Sequence, residues 1–257
     1  MTDIIDLSGK VILVTGASRG IGAAIVRSVA EAGADVVIHC NQNRARAEAL
    51  VETIGSERCH LVQADFMSLD SVDALWHQAV AWKGRIDVLV NNAAVQLWAG
   101  VDDPLSQWDE IFDTTMRVNL LAMARLTREA VLHFRDRGGG IIVSISSQAA
   151  HRGVTSPESL AYAASKAGIK AFIQSIARAF PLDGVLAYIV APGLVRTEMA
   201  EDFATRKGGE DALTATLAMR EWVPPEDVAN FVAFLATGKA RHASGTTIDI
   251  TGATYVR

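Results

Sequence analysis

Tyr162 and Lys166 stand four residues apart in a segment with helical periodicity, so one helix face carries a phenol beside an ammonium. A free phenol, with a pKa of about 10, is a poor acid–base catalyst at neutral pH. A neighbouring cation stabilises phenolate, so the pairing is expected to draw Tyr162 toward the range in which it exchanges a proton with a substrate. Upstream, Ser146 and Ser147 end an apolar run, where a fixed hydroxyl is a donor for charge developing on a substrate oxygen. Strand alternation turns the two serines to opposite faces, so only one can point at the site. Tyr-x-x-x-Lys alone also describes an ordinary surface helix, and the context has to decide.

That context is a glycine-rich turn. Thr15-Gly16-Ala17-Ser18-Arg19-Gly20-Ile21-Gly22 follows the first apolar run and enters a helical pattern. Gly16 can turn the chain out of a strand, and Gly20 lets the backbone approach a pyrophosphate at the helix N-terminus. Gly22 permits close helix–strand packing. A glycine triplet is weak evidence by itself, but its place at the first strand–helix junction of an alternating chain points to a dinucleotide. The spacing is G-x-x-x-G-x-G rather than G-x-G-x-x-G.

The elements that must position these residues are legible as periodicity. Short apolar runs lie at Val11–Val14, Asp35–His39, His60–Gln63, Ile86–Asn91, Gly140–Ile145, Leu186–Val190 and Thr247–Ile250. Helical patterns separate them at Ile21–Ala32, Arg44–Ile54, Ser71–Trp82, Trp108–Arg135, Ser159–Phe180 and Pro225–Ala236. Runs apolar on both faces and separated by helices predict an α/β, doubly wound architecture, with about seven parallel strands covered by helices on both sides. No linker or composition shift divides the chain, so residues 1–257 read as one domain. The polar segment Glu198–Trp222 follows the sixth run, beyond the strand ends where such sheets bind ligands, and is expected to form a substrate lid.

Composition removes other classes. A net charge of −5 gives no basic field for a nucleic acid, and clusters such as Arg135–Arg137 read as solvated helix ends. The N-terminus has acids where a signal peptide has bases, and no apolar run reaches membrane-spanning length. Cys40 and Cys59 make no disulfide framework, and the six histidines have no metal-site spacing. The expectation is a cytoplasmic protein without metal.

Taken in order, these motifs resemble the short-chain dehydrogenase/reductase family in its single-domain, Rossmann-fold form, over nearly the whole chain. Thr15–Gly22 resembles the cofactor turn, Asn91-Asn92-Ala93-Ala94 its Asn-Asn-Ala-Gly stretch, and Tyr162-Ala-Ala-Ser-Lys166 its Tyr-x-x-x-Lys. The resemblance implies a hydride exchanged between a nicotinamide cofactor and a ketone or secondary alcohol. It makes Asn119, Ser147, Tyr162 and Lys166 the catalytic set. Lys166 would also bond the nicotinamide ribose, and Asn119 would order a proton-relay water. For the cofactor it implies Gly16, Ser18, Arg19, Gly20, Ile21, Gly22, Asn41, Arg44, Asp65 beside the adenine, Asn92, Ala93, Tyr162 and Lys166. On the nicotinamide side it adds Pro192, Gly193, Val195 and Thr197. Family alignment favours Ser147 over Ser146, although the loop to Tyr162 is about two residues longer than usual.

The second run ends His39-Cys40-Asn41, without the acid that NAD-preferring relatives carry there. Arg19 and Arg44 are expected to face a 2′-phosphate, so NADP(H) is preferred and NAD(H) is the alternative. A carbonyl or 3-oxoacyl-type reductase is the expected activity. The alternatives are an alcohol, polyol or sugar dehydrogenase running the reverse reaction, and a cofactor-binding redox sensor without turnover. Gln96–Trp98, Ala149–Thr155 and the lid are expected to wall a partly apolar small-molecule pocket, with His151 a solvated loop residue. The resemblance also implies a homotetramer or dimer built through the long helices. Leu186, Tyr188 and Ile250-Thr251-Gly252-Ala253 depart from the family pattern.

Overall fold

The seven apolar runs become seven parallel strands, the inner ones buried on both faces and β3 and β7 at the edges only partly so. In the computed structural model, residues 5–256 are described; residues 1–4 and 257, part of the expected 1–257 domain and of the leader reading, lie outside them. The strands are β1 (Val11–Val14), β2 (Asp35–Cys40), β3 (Cys59–Gln63), β4 (Val88–Asn91), β5 (Gly140–Ile145), β6 (Val185–Pro192) and β7 (Thr247–Ile250). They form one sheet in the order β3-β2-β1-β4-β5-β6-β7, every pair parallel. The chain winds outward from β1 to β3, then returns to add β4 beside β1. That reversal opens a crevice at the carboxyl ends of β1 and β4, the place where open parallel sheets bind ligands. This is a Rossmann fold.

Alternation divides the core. Ile12, Val14, Val36, Ile38, Val88 and Val90 face one side with α1 (Gly20–Glu31), α2 (Arg44–Ile54) and α10 (Pro225–Ala236). Val11, Leu13, Val37, Val62, Leu89 and Ile142 face the other. There they pack on α3 (Leu69–Lys83), α5 (Ala122–Asp136) and α7 (Leu160–Ala179). The remaining helices are α4 (Leu105–Met116), α6 (Ala149–Arg152), α8 (Glu198–Arg206) and α9 (Glu210–Thr214). Tyr188, where the family pattern has an asparagine, is fully buried, and its hydroxyl donates to Ala240 O at 3.0 Å.

Three local expectations change. The pattern read as one helix over Trp108–Arg135 is α4 and α5 joined by a π turn at Arg117–Leu121, where Ala122 N–H reaches back to Arg117 O. The stretch from Ser147 to Tyr162, read as a loop, contains the one-turn α6. His151, expected in solvent, has a side chain only 2% exposed. It stacks on Tyr255 at 5.7 Å and lies between Lys170 Nζ at 3.0 Å and Asp249 Oδ1 at 3.5 Å. A loop histidine carries no local signal for a contact made a hundred residues away. No helix among the described residues is long and apolar enough to cross a membrane.

Candidate active site

One cleft of about 950 Å³ runs along the carboxyl ends of the strands. It is lined by Gly16, Ser18, Arg19, Gly20, Ile21, Gly22, Asn41, Asp65, Asn92, Ala93, Ser147, Tyr162, Lys166, Pro192, Gly193, Val195 and Thr197. These are all the expected site residues but two. Arg44 is not among the lining residues; its Nε donates to Glu48 Oε1 at 2.8 Å on its own helix. Arg46, two residues on and on another face of α2, does not line the cleft either, but it and Arg19 both bond Glu198, which does. Asn119 lies beneath the cleft, fully buried.

The glycine turn is built for close approach. Gly16 has φ +63°, and a Cβ there would lie 2.7 Å from Ala93 Cα. A Cβ on Gly22 would lie 2.3 Å from Gly16 O and 2.6 Å from Asn92 Nδ2. Thr15 Oγ1 accepts from Asn92 N and Ala93 N, each at 3.0 Å, and Asn92 Nδ2 donates to Thr15 O at 2.9 Å and Gly16 O at 3.0 Å. The ends of β1 and β4 thus hold one another, with the N-terminus of α1 facing the cleft. A cradle that any side chain would fill, beside a helix N-terminus, fits a dinucleotide pyrophosphate.

His39 also pins this turn, a role its sequence position did not announce. Its Nδ1 accepts from Gly16 N at 3.1 Å, which leaves Nε2–H to donate to Ala64 O at 3.1 Å. The ring stacks on Phe66 with centroids 4.5 Å apart. Burial pushes its pKa down from 6.5 to about 4. A proton on Nδ1 would also set two N–H groups against each other. The unfolded chain therefore binds this proton between pH 4 and 6.5 while the folded chain does not, so stability from this group falls as pH drops through that window. Denaturant titration is expected to show about 2 kcal/mol less stability at pH 5 than at pH 7 from this residue. His39→Asn, which cannot titrate, should lose that part of the pH dependence; an unchanged profile would contradict the assignment.

At the end of β5 the serines part. Ser146, 2% exposed, donates its hydroxyl to Lys166 O at 2.9 Å and is spent on α7. Ser147, whose Oγ accepts from Ala149 N at 3.2 Å, stands beside the Tyr162 hydroxyl and pulls its pKa down. The Lys166 ammonium donates to Ile145 O at 2.9 Å and lies 5.6 Å from the Tyr162 ring centroid. The expected lowering of the tyrosine pKa is not found. Burial pushes it up to about 12, opposed only by the Ser147 hydrogen bond, and burial brings Lys166 down to about 8. The lysine turns to a carbonyl rather than to the phenol oxygen, so desolvation outweighs the cation. Asn119 Oδ1 accepts from Val95 N at 2.8 Å, and Nδ2 donates to Val95 O at 2.9 Å and Ser165 Oγ at 3.0 Å. The π turn carries this residue, and its amide ties the loop after β4 to α7.

The far wall is the excursion 198–222. It leaves after Arg196 and returns at Val223, whose N–H donates to Leu194 O at 2.9 Å, and Ala200, Ala204, Leu217 and Trp222 form a small core of its own. Trp98 Nε1 donates to Asp202 Oδ2 at 3.2 Å, and Trp98 stacks on Phe203. Gln96, Leu97, Val154, Met199, Phe203 and Leu217 line this end of the cleft.

Comparison with known proteins agrees with this geometry. The family model described as short chain dehydrogenase matches residues 10–208. The chain is 34% identical to 3beta-hydroxysteroid dehydrogenase 1 of Eggerthella lenta, over 96% of this chain and 94% of that one. It is 31% identical to a 3-oxoacyl-[acyl-carrier-protein] reductase of Staphylococcus aureus, over 96% and 98%, and 35% identical to a versicolorin reductase of Emericella nidulans, over 97% of each. Among solved structures, a short chain dehydrogenase from Burkholderia cenocepacia in complex with NADP is similar, with TM-score 0.86 and 34% identity over 96% of this chain and 98% of that one.

Proposed function

The chain belongs to the short-chain dehydrogenase family and is an NAD(P)-dependent oxidoreductase, and from that premise we propose that it reduces a small, partly apolar ketone with NADPH, as a carbonyl or 3-oxoacyl-type reductase. One observation carries this reading: Tyr162, its hydroxyl kept protonated by burial, lines one cleft with Ser147, Lys166 and the glycine cradle. A protonated phenol is the form that can give a proton to a carbonyl oxygen. The relatives named as reductases support the direction.

When bound, the nicotinamide supplies the hydride. Ser147 holds the carbonyl oxygen by a hydrogen bond and steadies its growing charge. Tyr162 then donates its phenolic proton to that oxygen. Lys166, with one of its three hydrogens used on Ile145 O, has donors left for ribose hydroxyls and for proton resupply. Asn119 has both amide hydrogens engaged, so a relay water it orders bonds an oxygen of this residue. The absence of an acid at the end of β2, with Arg19 and Arg46 at the rim, supports NADP(H). Residues 1–257 act as one domain with 198–222 as lid, and the apolar surface residues Leu105, Leu121 and Leu132 on the α4–α5 unit fit a homotetramer or dimer. The buried free thiols of Cys40 and Cys59 fit a reducing, cytoplasmic setting.

The test is NADPH oxidation followed by absorbance over 3-oxo esters, steroid ketones, quinones and simple ketones. Substrate-dependent turnover is expected, falling about 100-fold in Ser147→Ala and by much less in Ser146→Ala. Equal losses in the two variants would contradict the assigned roles, and no turnover with any ketone would contradict the reductase reading.

A further inference from the structure

Glu198, the first residue of α8, joins two parts of the cofactor end that are remote in sequence. Arg19 holds the N-cap position of α1 within the glycine turn, and Arg46 stands in the first turn of α2. Arg19 Nη1 donates to Glu198 Oε2 at 2.5 Å, and Arg46 Nη1 donates to the other oxygen, Oε1. One carboxylate thus holds both guanidinium groups, each oxygen serving one. Arg19 and Glu198 line the cleft beside Asn41, Gln42 and Asn43, where β2 ends without an acid.

We infer that Glu198 sets the discrimination between phosphorylated and unphosphorylated dinucleotides by competing with an adenosine 2′-phosphate for Arg19 and Arg46. This rests on the cofactor reading proposed above. All three side chains are about half exposed, 51%, 54% and 47% for Arg19, Arg46 and Glu198, and ion pairs in that setting are exchanged at small cost. A phosphate carries more charge and more acceptor oxygens than a carboxylate and suits the guanidinium fork well. It therefore takes the arginines from Glu198, which is left as a like charge beside it. A dinucleotide with a free 2′-hydroxyl makes no such claim, and the Glu198 clamp persists. Arg44 is no substitute, since Glu48 engages it.

The clamp is also one end of the lid. The other end of α8 is fastened separately: Trp98 bonds Asp202, Arg206 lies 4.9 Å from the Trp98 ring, and Lys207 pairs with Glu158 at 3.4 Å. Release of Glu198 therefore frees the cofactor end of α8 while its substrate end stays fastened.

Calorimetric titration of Glu198→Gln and Arg46→Ala with NADPH, NADH, 2′,5′-ADP and 5′-AMP tests this. Glu198→Gln keeps the shape and removes the charge; its affinity for NADPH and 2′,5′-ADP is expected to rise about five- to tenfold, with NADH and 5′-AMP within about twofold. Arg46→Ala is expected to lose about tenfold toward the phosphorylated pair alone. If Glu198→Gln leaves the NADPH-to-NADH ratio unchanged, the inference is overturned while the proposed reductase stands. If wild type binds NADH more tightly than NADPH and Glu198→Gln still raises only the phosphorylated pair, the inference holds and the NADPH preference falls.

Discussion

Tyr162→Phe is expected to lower kcat/KM for ketone reduction by about 1,000-fold while NADPH affinity stays within about twofold. The substitution removes one oxygen and keeps the ring, so the packing of α7 and the Lys166 contact with the ring survive. What is lost is the proton donor and the partner of Ser147. Burial pushes the phenol up to about 12, so the wild-type group is protonated throughout the neutral range; phenylalanine has no proton to give, so no pH between 6 and 8 should rescue the variant. Steady-state rates paired with calorimetric NADPH titration separate the two effects. A variant retaining a tenth of wild-type turnover would remove Tyr162 from the role of acid.

The second large effect is expected at Gly22. Alanine there would drive a methyl to 2.3 Å from Gly16 O and 2.9 Å from Ala17 Cα, both backbone atoms of the cofactor turn. Neither can yield cheaply, because Gly16 O accepts from Asn92 Nδ2 and Gly16 N donates to His39. Gly22→Ala should cost at least about 2 kcal/mol of stability and weaken NADPH binding by about 100-fold or more. Urea unfolding and NADPH titration measure the two. Wild-type values for both would mean that the turn has slack the geometry does not show.

Residues whose role is set by local pattern were legible in the sequence. The seven strands follow from short apolar runs, and α2, α10, β1, β5 and β7 begin and end where periodicity puts them. The Tyr162–Lys166 pair and the glycine turn are likewise local, because helix spacing and strand–helix junctions are written in neighbouring residues. What escaped is tertiary. The π turn carries Asn119, whose amide bonds Val95 and Ser165, contacts that no helical pattern encodes. Arg46 rather than Arg44 bonds Glu198 on the cleft wall, a partner 152 residues away that no local pattern announces. His39 read only as the absence of an acid, because its partners Gly16 and Ala64 lie more than twenty residues away on either side. The phenol was expected to be acidified by its lysine, and burial reversed the sign.

Isotopic labelling shows whether a hydride passes to a substrate carbonyl in this cleft. Wild type is incubated with NADPH deuterated at nicotinamide C4, each face in turn, and the best ketone from the panel. Mass spectrometry of the product is predicted to find one deuterium on the carbinol carbon from one labelled face only, and none with Tyr162→Phe over the same time. Product alcohol formed without label from either face would contradict the account.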